Sequence, residues 1–281
     1  MPTLSEAIAS NDPLIVPSIY DGISARLVRD AGFQAAYIGS YATGATRYGI
    51  PDIGYLGLED MADQVRRLAP IAGVPLIVDG EGGWGNPLHV ARAVQVLERA
   101  GAAAVHIEDH DFGKHLTMQP RVLPVAQAVE KVRAAVDARA SEDFAIIART
   151  DAAGVEGPAA AVDRVLAYQE AGADGLFIAT PQVLDDTSYE RLKKEARVPV
   201  YAIDVPGQSA ADHARQGADV VIYFALGHVA AKAGMEAAYQ VLAKNASTVS
   251  LEGELGSLWD YDDFLGIAGA REAARRHGLI E

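Results

Sequence analysis

Acidic side chains close two successive apolar runs of this sequence. The first ends Val78-Asp79-Gly80-Glu81-Gly82-Gly83-Trp84-Gly85 and the second His106-Ile107-Glu108-Asp109-His110. Alternate residues of an extended chain share a face, so Asp79 falls with Glu81, and His106 with Glu108, while Asp109 faces the other way. If the two runs are neighbouring strands, Asp79, Glu81 and Glu108 converge. Three converging carboxylates repel one another unless a cation lies among them, and oxygen-only donors suit Mg²⁺, with Mn²⁺ as the alternative. The competing reading makes the same acids helix caps or solvated loop residues, and spacing alone leaves both open.

A third run ends Ala148-Arg149-Thr150-Asp151, which sets a guanidinium beside the acids. A guanidinium forks onto a carboxylate through two hydrogen bonds, so Arg149 beside a metal suits a small anionic acid; an ion pair with a nearby acid is its other reading. An earlier run ends Tyr37-Ile38-Gly39-Ser40-Tyr41, whose backbone amides suit an anion. A long polar, glycine-containing loop from Ala42 to Gly57 follows, with Arg47, Tyr48, Pro51 and Asp52, and is long enough to act as a lid. A second long segment, His110 to Pro124, holds Asp111, Lys114, His115 and Arg121. Segments longer than about 12 residues inside a compact domain tend to be functional or disordered.

These rims need a scaffold that sets short strands side by side. Eight apolar runs recur, at 14–20, 35–39, 75–79, 103–108, 144–149, 175–179, 199–203 and 219–224, with helical spacing between them, as in Pro87 to Arg99 and Val125 to Arg139. Several helical stretches end in the same way, at Gly32, Gly73, Gly101, Gly172 and Gly217, each leading directly into the next run. The runs are almost wholly apolar, so both faces are covered, as in a parallel sheet wrapped by helices. Eight units in 281 residues predict an α/β fold, a (β/α)₈ TIM-type barrel over residues 1–245, with residues 246–281 a helical extension of the same domain. An open doubly wound sheet shares much of the pattern, but the first turn lacks G-x-G-x-x-G. The aromatic tail, Trp259 to Phe264, either caps the barrel or packs on another subunit.

On this scaffold His106 fills a barrel layer and bonds beneath Glu108, whereas His110 and His115 fall where a gate would move. His89, His213 and His277 lie on helical stretches as surface residues. His228 precedes an Ala-rich stretch and either caps that helix or reaches into the site.

The formal charge of −14 leaves no basic surface for nucleic acid, and the absence of cysteine excludes disulfides and thiolate chemistry. No run approaches the roughly 18 apolar residues of a membrane span, and the first residues carry no secretory leader pattern. A cytoplasmic protein without membrane or nucleic-acid partners is expected.

Taken in order, Tyr20-Asp21-x-x-Ser24-Ala25-Arg26, Gly49-x-Pro51-Asp52-x-Gly54, Asp79-x-Glu81-x-Gly83-Trp84-Gly85-Asn86, Ile107-Glu108-Asp109 and Ala148-Arg149-Thr150-Asp151-Ala152 resemble the isocitrate lyase and phosphoenolpyruvate mutase superfamily. The resemblance covers residues 10 to 245. It implies a homo-oligomer, dimer or tetramer, with a C-terminal helix swapped between neighbours, and a Mg²⁺ site for a 2-oxo acid or its enolate. It assigns Asp79 as direct metal ligand, with Glu81 and Glu108 holding the ion directly or through water. Glu81 stands where the family usually has Asp. Tyr37, Gly39, Ser40, Tyr41 and Arg149 become the substrate-binding set, and Asp52, Arg149, His228 and Lys114 the catalytic set.

The departures bear on the reaction. Where the isocitrate-type lyases carry a catalytic cysteine this chain has Leu116, and their strand-six glutamate and strand-seven Asn-Met-Thr correspond to Ala179 and Ile203-Asp204-Val205. Gly227-His228 and Gly85-Asn86-x-Leu88-x-Val90 instead resemble the oxaloacetate decarboxylase branch. The resemblance therefore implies a Mg²⁺-dependent lyase acting on a small 2-oxo dicarboxylate. The alternatives are a lyase for a substituted malate such as methylisocitrate or dimethylmalate, a phosphonopyruvate hydrolase or mutase using Asp52 and Lys114, and a non-catalytic 2-oxo acid binder.

Overall fold

The computed structural model describes residues 2–111 and 121–281, so Lys114, His115 and Leu116 lie outside the described residues. The chain forms two compact units, residues 1–228 and 229–281.

Each apolar run becomes a strand. These are β1 (Leu14–Pro17), β2 (Ala36–Ile38), β3 (Leu76–Asp79), β4 (Ala104–Glu108), β5 (Ala145–Thr150), β6 (Gly175–Ile178), β7 (Val200–Ile203) and β8 (Val220–Tyr223). Neighbours pair in parallel in the order β2-β3-β4-β5-β6-β7-β8-β1. A bridge between Ser18 and Tyr37, with Ile19 N donating to Tyr37 O at 2.8 Å, brings the two ends of the sheet together. The sheet is a (β/α)₈ barrel.

Side-chain parity decides what faces the interior. Leu14, Val16, Tyr37, Ile77, Ala104, Ile147, Phe177, Tyr201, Val220 and Ile222 pack as one cluster, closed below by Leu4 and Ala7 of the first helix, Leu4–Ala9. Residues of opposite parity, such as Ile38, Val78, Val105 and Ile146, pack with Met61, Val65 and Leu97 of the surrounding helices. Asp79, His106, Glu108 and Arg149 share the inward parity of Ile77, Ala104 and Ile147. The register sets Asp79 beside His106 and Glu108 beside Arg149.

The chain leaves β3 abruptly. Gly80 N donates to His106 O at 2.9 Å, and a Cβ on Gly80 would stand 2.6 Å from that same carbonyl oxygen. Glu81 (φ 49°) and Trp84 (φ 55°) then take left-handed backbone, which costs a non-glycine residue strain that the surroundings must hold. The expected strand alternation therefore stops at Asp79, and Glu81 reaches its place through a turn.

Two further expectations are corrected. The segment after Tyr41 is not an irregular loop from its start: Ser40–Thr43 is α-helical and Gly44–Tyr48 is π-helical, ended by Gly49 in the left-handed region (φ 66°). His213 is not a surface residue; it is 1% exposed, because the short helix Ala210–Arg215 lays it against β7 and β8 neighbours such as Tyr201, Ala202 and Ala218. In the second unit, Leu258–Phe264 and Ile267–Arg276 are helical, and Ser257 caps the first of them by accepting from Asp260 N.

Gly80→Ala forces a Cβ against backbone and is expected to lower stability by about 1–3 kcal/mol. Gly154→Ala, where a Cβ meets nothing within 4 Å, is expected to be neutral or slightly stabilising. Urea denaturation of both variants checks the difference.

Candidate active site

The site grows from the carboxyl ends of β2 to β5. Asp79 is held from three sides: Ser40 Oγ donates to Oδ2 at 2.8 Å, Ser40 N donates to it at 3.2 Å, and Glu81 N donates to Oδ1 at 2.9 Å. Tyr37 OH lies 3.4 Å from Asp79 Oδ2 and 2.9 Å from His106 Nε2, and its ring stacks on the imidazole with centroids 5.7 Å apart. Ser40 Oγ also lies 3.0 Å from Asp52 Oδ1. A hydroxyl has one proton, so Ser40 serves Asp79 or Asp52 at any moment and links the two.

Glu108 is 1% exposed and sits between a guanidinium and an imidazole. Its Oε1 accepts from Arg149 Nη1 at 2.6 Å, and its Oε2 contacts His110 Nε2. Arg149 Nη2 also reaches Asp151 Oδ1 at 3.0 Å, and the guanidinium carbon lies 5.4 Å from the Phe177 ring centre. Burial works against the charge of Arg149, but Asp151, Glu108 and Asp79 outweigh it and hold its pKa well above the ordinary value.

A cavity of about 680 Å³ opens over these groups. Tyr37, Gly39, Tyr41, Asp52, Asp79 and Arg149 line one side. Phe177, Ala179, Ile203, Ile222 and Phe224 form the facing wall, with Thr180 and Gln182 as its polar members. A second cavity, of about 780 Å³, is lined by Glu81, Trp84, His110, Glu130 and Lys131 among others.

The chain matches the family model described as phosphoenolpyruvate phosphomutase over residues 4–244. It belongs to that family. It is 40% identical over 200 residues to 2-methylisocitrate lyase of Salmonella typhimurium, covering 70% of this chain and 67% of that one. It is 34% identical over 244 residues to oxaloacetate decarboxylase of Pseudomonas fluorescens, covering 85% and 82%. A solved structure of phosphonopyruvate hydrolase with oxalate and Mg²⁺ matches with a TM-score of 0.86 at 28% identity, covering 96% of each chain.

In this family member the residues fit a divalent metal. Asp79, His106 and Glu108 offer one ligand atom each within 4.8 Å of one another, and Glu81, Glu108 and His110 do the same, all of them buried. Asp79 and Glu81, expected together, thus fall in two groups that share Glu108. Among the described residues Arg149 pairs with Glu108 and Asp151 beside this cluster, and the gathered carboxylate oxygens are donors that suit a dication.

The other expected residues are distributed around the cavity. Ser40 N is engaged with Asp79, while Gly39 and Tyr41 line the cavity wall. His228 is buried beside the rings of Tyr41 and Tyr20, at 5.2 and 6.1 Å, with neither ring nitrogen hydrogen-bonded among the described residues. Burial lowers its pKa.

Sequence reasoning missed the brace behind the site. Asp109, facing outward, accepts from Thr150 Oγ1 (2.6 Å), Asp151 N (3.0 Å), Tyr168 OH (2.7 Å) and Arg164 Nη1 (3.2 Å). Arg164 also donates to Leu123 O at 2.8 Å and forks onto Glu156. Asp111 N donates to Arg121 O, and Leu123 N to Asp109 O, so residues 109–111 and 121–123 form a paired stem tied at its base by Arg164. Burial raises the Asp109 pKa, partly offset by these hydrogen bonds. The available signal was parity: an outward acid after β4 needs a cation from the helix layer, and Pro158–Glu170 carries one arginine.

Removing that cation leaves a buried carboxylate uncompensated. Arg164→Met is expected to lose about 3–5 kcal/mol of stability. Glu156→Gln, at the more exposed end of the same network, is expected to lose about 1 kcal/mol or less. Chemical unfolding curves of the two variants test the ranking.

Proposed function

We propose that this chain is a Mg²⁺-dependent carboxy-lyase for a small 2-oxo dicarboxylate, with oxaloacetate its simplest substrate. The observation that carries the reading is the contrast between the two sides of the cavity. One side presents Asp79 and Arg149; among the described lining residues the β6 to β8 wall presents no charged group. A carboxylate set against Phe177, Ala179, Ile203, Ile222 and Phe224 loses hydration that the neutral Thr180 and Gln182 replace only in part, whereas CO₂ has no charge to hydrate. Charge that leaves the apolar wall and gathers at the polar side is stabilised more in the transition state than in the bound substrate.

Bound at the acid cluster, a divalent cation supplies a Lewis acid for the 2-oxo oxygen. Arg149, held between Glu108 and Asp151, orients the carboxylate next to that oxygen. The bond between C3 and the departing carboxylate breaks, its electron pair moves toward the 2-oxo oxygen, and CO₂ leaves along the apolar wall. Asp52, placed at the cavity edge by Ser40 Oγ, is positioned to return a proton to C3 directly or through water. His228, set among the Tyr20 and Tyr41 rings, shapes that edge. Pyruvate is the product from oxaloacetate.

The 40% identity to a 2-methylisocitrate lyase supports a second reading, cleavage of a substituted malate. The same wall argues against it, because a second retained carboxylate finds no cation there among the described residues.

A panel of oxaloacetate, methylisocitrate, dimethylmalate and phosphonopyruvate, with pyruvate, phosphate and CO₂ followed, decides between them. Oxaloacetate is expected to be consumed well above the rate with free Mg²⁺, and Asp79→Ala to reduce consumption to that background while the circular dichroism spectrum stays native. Oxaloacetate loss at the background rate in the unaltered protein removes the proposal.

A further inference from the structure

We propose that Gln182 is a specificity-determining residue of this site, the neutral group that receives the second carboxylate of the substrate. The inference rests on the proposed 2-oxo dicarboxylate reading and names the partner of the carboxylate that leaves. Gln182 belongs to the short 3₁₀ turn Pro181–Val183, just past β6, and lines the cavity. The turn is held at its base: Ala179 N donates to Thr150 O at 3.0 Å, and Val183 N donates to Thr180 O at 3.3 Å. Thr150 follows Arg149, which stands beside Phe177 in the register of β5 on β6. One strand pair therefore carries both polar ends of the cavity, the guanidinium on β5 and the amide beyond β6.

Among the described residues of the β6 to β8 wall, Thr180 and Gln182 are the polar ones that line the cavity. Thr180 Oγ1 is buried, so a ligand in the cavity does not reach it. Gln182 is exposed, and its amide bears two N–H donors at the end of a flexible side chain. A carboxylate lying against that wall meets this amide as its open hydrogen-bond donor among the described side chains.

The charge of the donor decides what it does to the reaction. A guanidinium in this place would hold the carboxylate as an ion pair, a contact that CO₂ cannot keep. Such a contact stabilises bound substrate more than the transition state and slows the loss of CO₂. A neutral amide donates more weakly. It selects dicarboxylates and orients the bond to C3, yet gives up little when the electron pair of that bond stays with C3 and the carboxyl carbon departs as CO₂.

Calorimetric titration of the full chain with Mg²⁺ and either malate or oxalate tests the assignment without turnover. Malate carries a second carboxylate and, lacking the 2-oxo group, does not decarboxylate; oxalate is no longer than the 2-oxo acid end. Gln182→Ala is expected to weaken malate about 10-fold, the loss of a hydrogen bond to a charged group, and to leave oxalate unchanged. In turnover, the KM of Gln182→Ala for oxaloacetate is expected to rise by a similar factor, while Gln182→Arg lowers KM and kcat together. Equal weakening of malate and oxalate, weakening of neither, or failure of the unaltered chain to bind malate overturns the role of Gln182. A Gln182→Arg variant that turns over oxaloacetate with undiminished kcat overturns it as well. Selective weakening of malate in a chain that does not turn over oxaloacetate overturns the carboxy-lyase reading alone and leaves Gln182 as the partner of the second carboxylate.

Discussion

Asp79, Glu81 and Glu108 are buried in one barrel mouth, and the repulsion among them must be compensated locally because water cannot do so there. Arg149 answers part of it, through Glu108 and Asp151, and its guanidinium is spread over the Phe177 face as well. Hydrogen-bond donors answer another part, from Ser40 and the Glu81 amide onto Asp79. The anionic and imidazole donors gathered here are a set that suits a divalent cation.

Holding such a cluster in place requires backbone that cannot relax. Gly80 has no room for a Cβ against His106 O, and Glu81 takes a conformation that most residues avoid. On the far side of β4 and β5, Asp109 gathers Thr150, the Asp151 amide, Tyr168 and Arg164. Because Thr150 and Asp151 follow Arg149 directly, this outward brace fixes the guanidinium from behind. It also anchors the stem that bears His110. The inward and outward acids are thus adjacent in sequence, Glu108 and Asp109, but do different work: one joins the inward acid cluster, the other holds the backbone behind it.

The strands and their inward residues were legible because strand parity is a local property: an apolar run of known period places every second residue without knowledge of the rest. All eight strands follow from it, as does the inward set Asp79, His106, Glu108 and Arg149. Glu81 was misplaced because parity holds only while the chain stays extended, and the turn at Gly80 depends on a tertiary clash with β4. The helical start of the segment after Tyr41 was missed for a related reason. Ser40 to Tyr48 carries no strong apolar period, and its helix is set by the site it borders. His213 looked exposed since its helix is too short to display an apolar stripe. The brace around Asp109 links residues up to 59 positions apart, which no local pattern reveals.

On the proposed reading the wall opposite the acid cluster adds a second constraint, and it acts on the substrate. A retained second carboxylate would need a cation from β6, β7 or β8, and among the described lining residues that wall offers only the neutral Thr180 and Gln182 as polar groups. A leaving carboxylate needs the reverse, surroundings that favour the uncharged product over the charged group. Polar floor and apolar wall therefore work in one direction, drawing charge from the breaking bond toward the cluster. The distinction between a site that holds a dicarboxylate and one that decarboxylates it comes down to which end of the molecule finds partners. On the proposed reading only the 2-oxo end meets charged partners among the described residues.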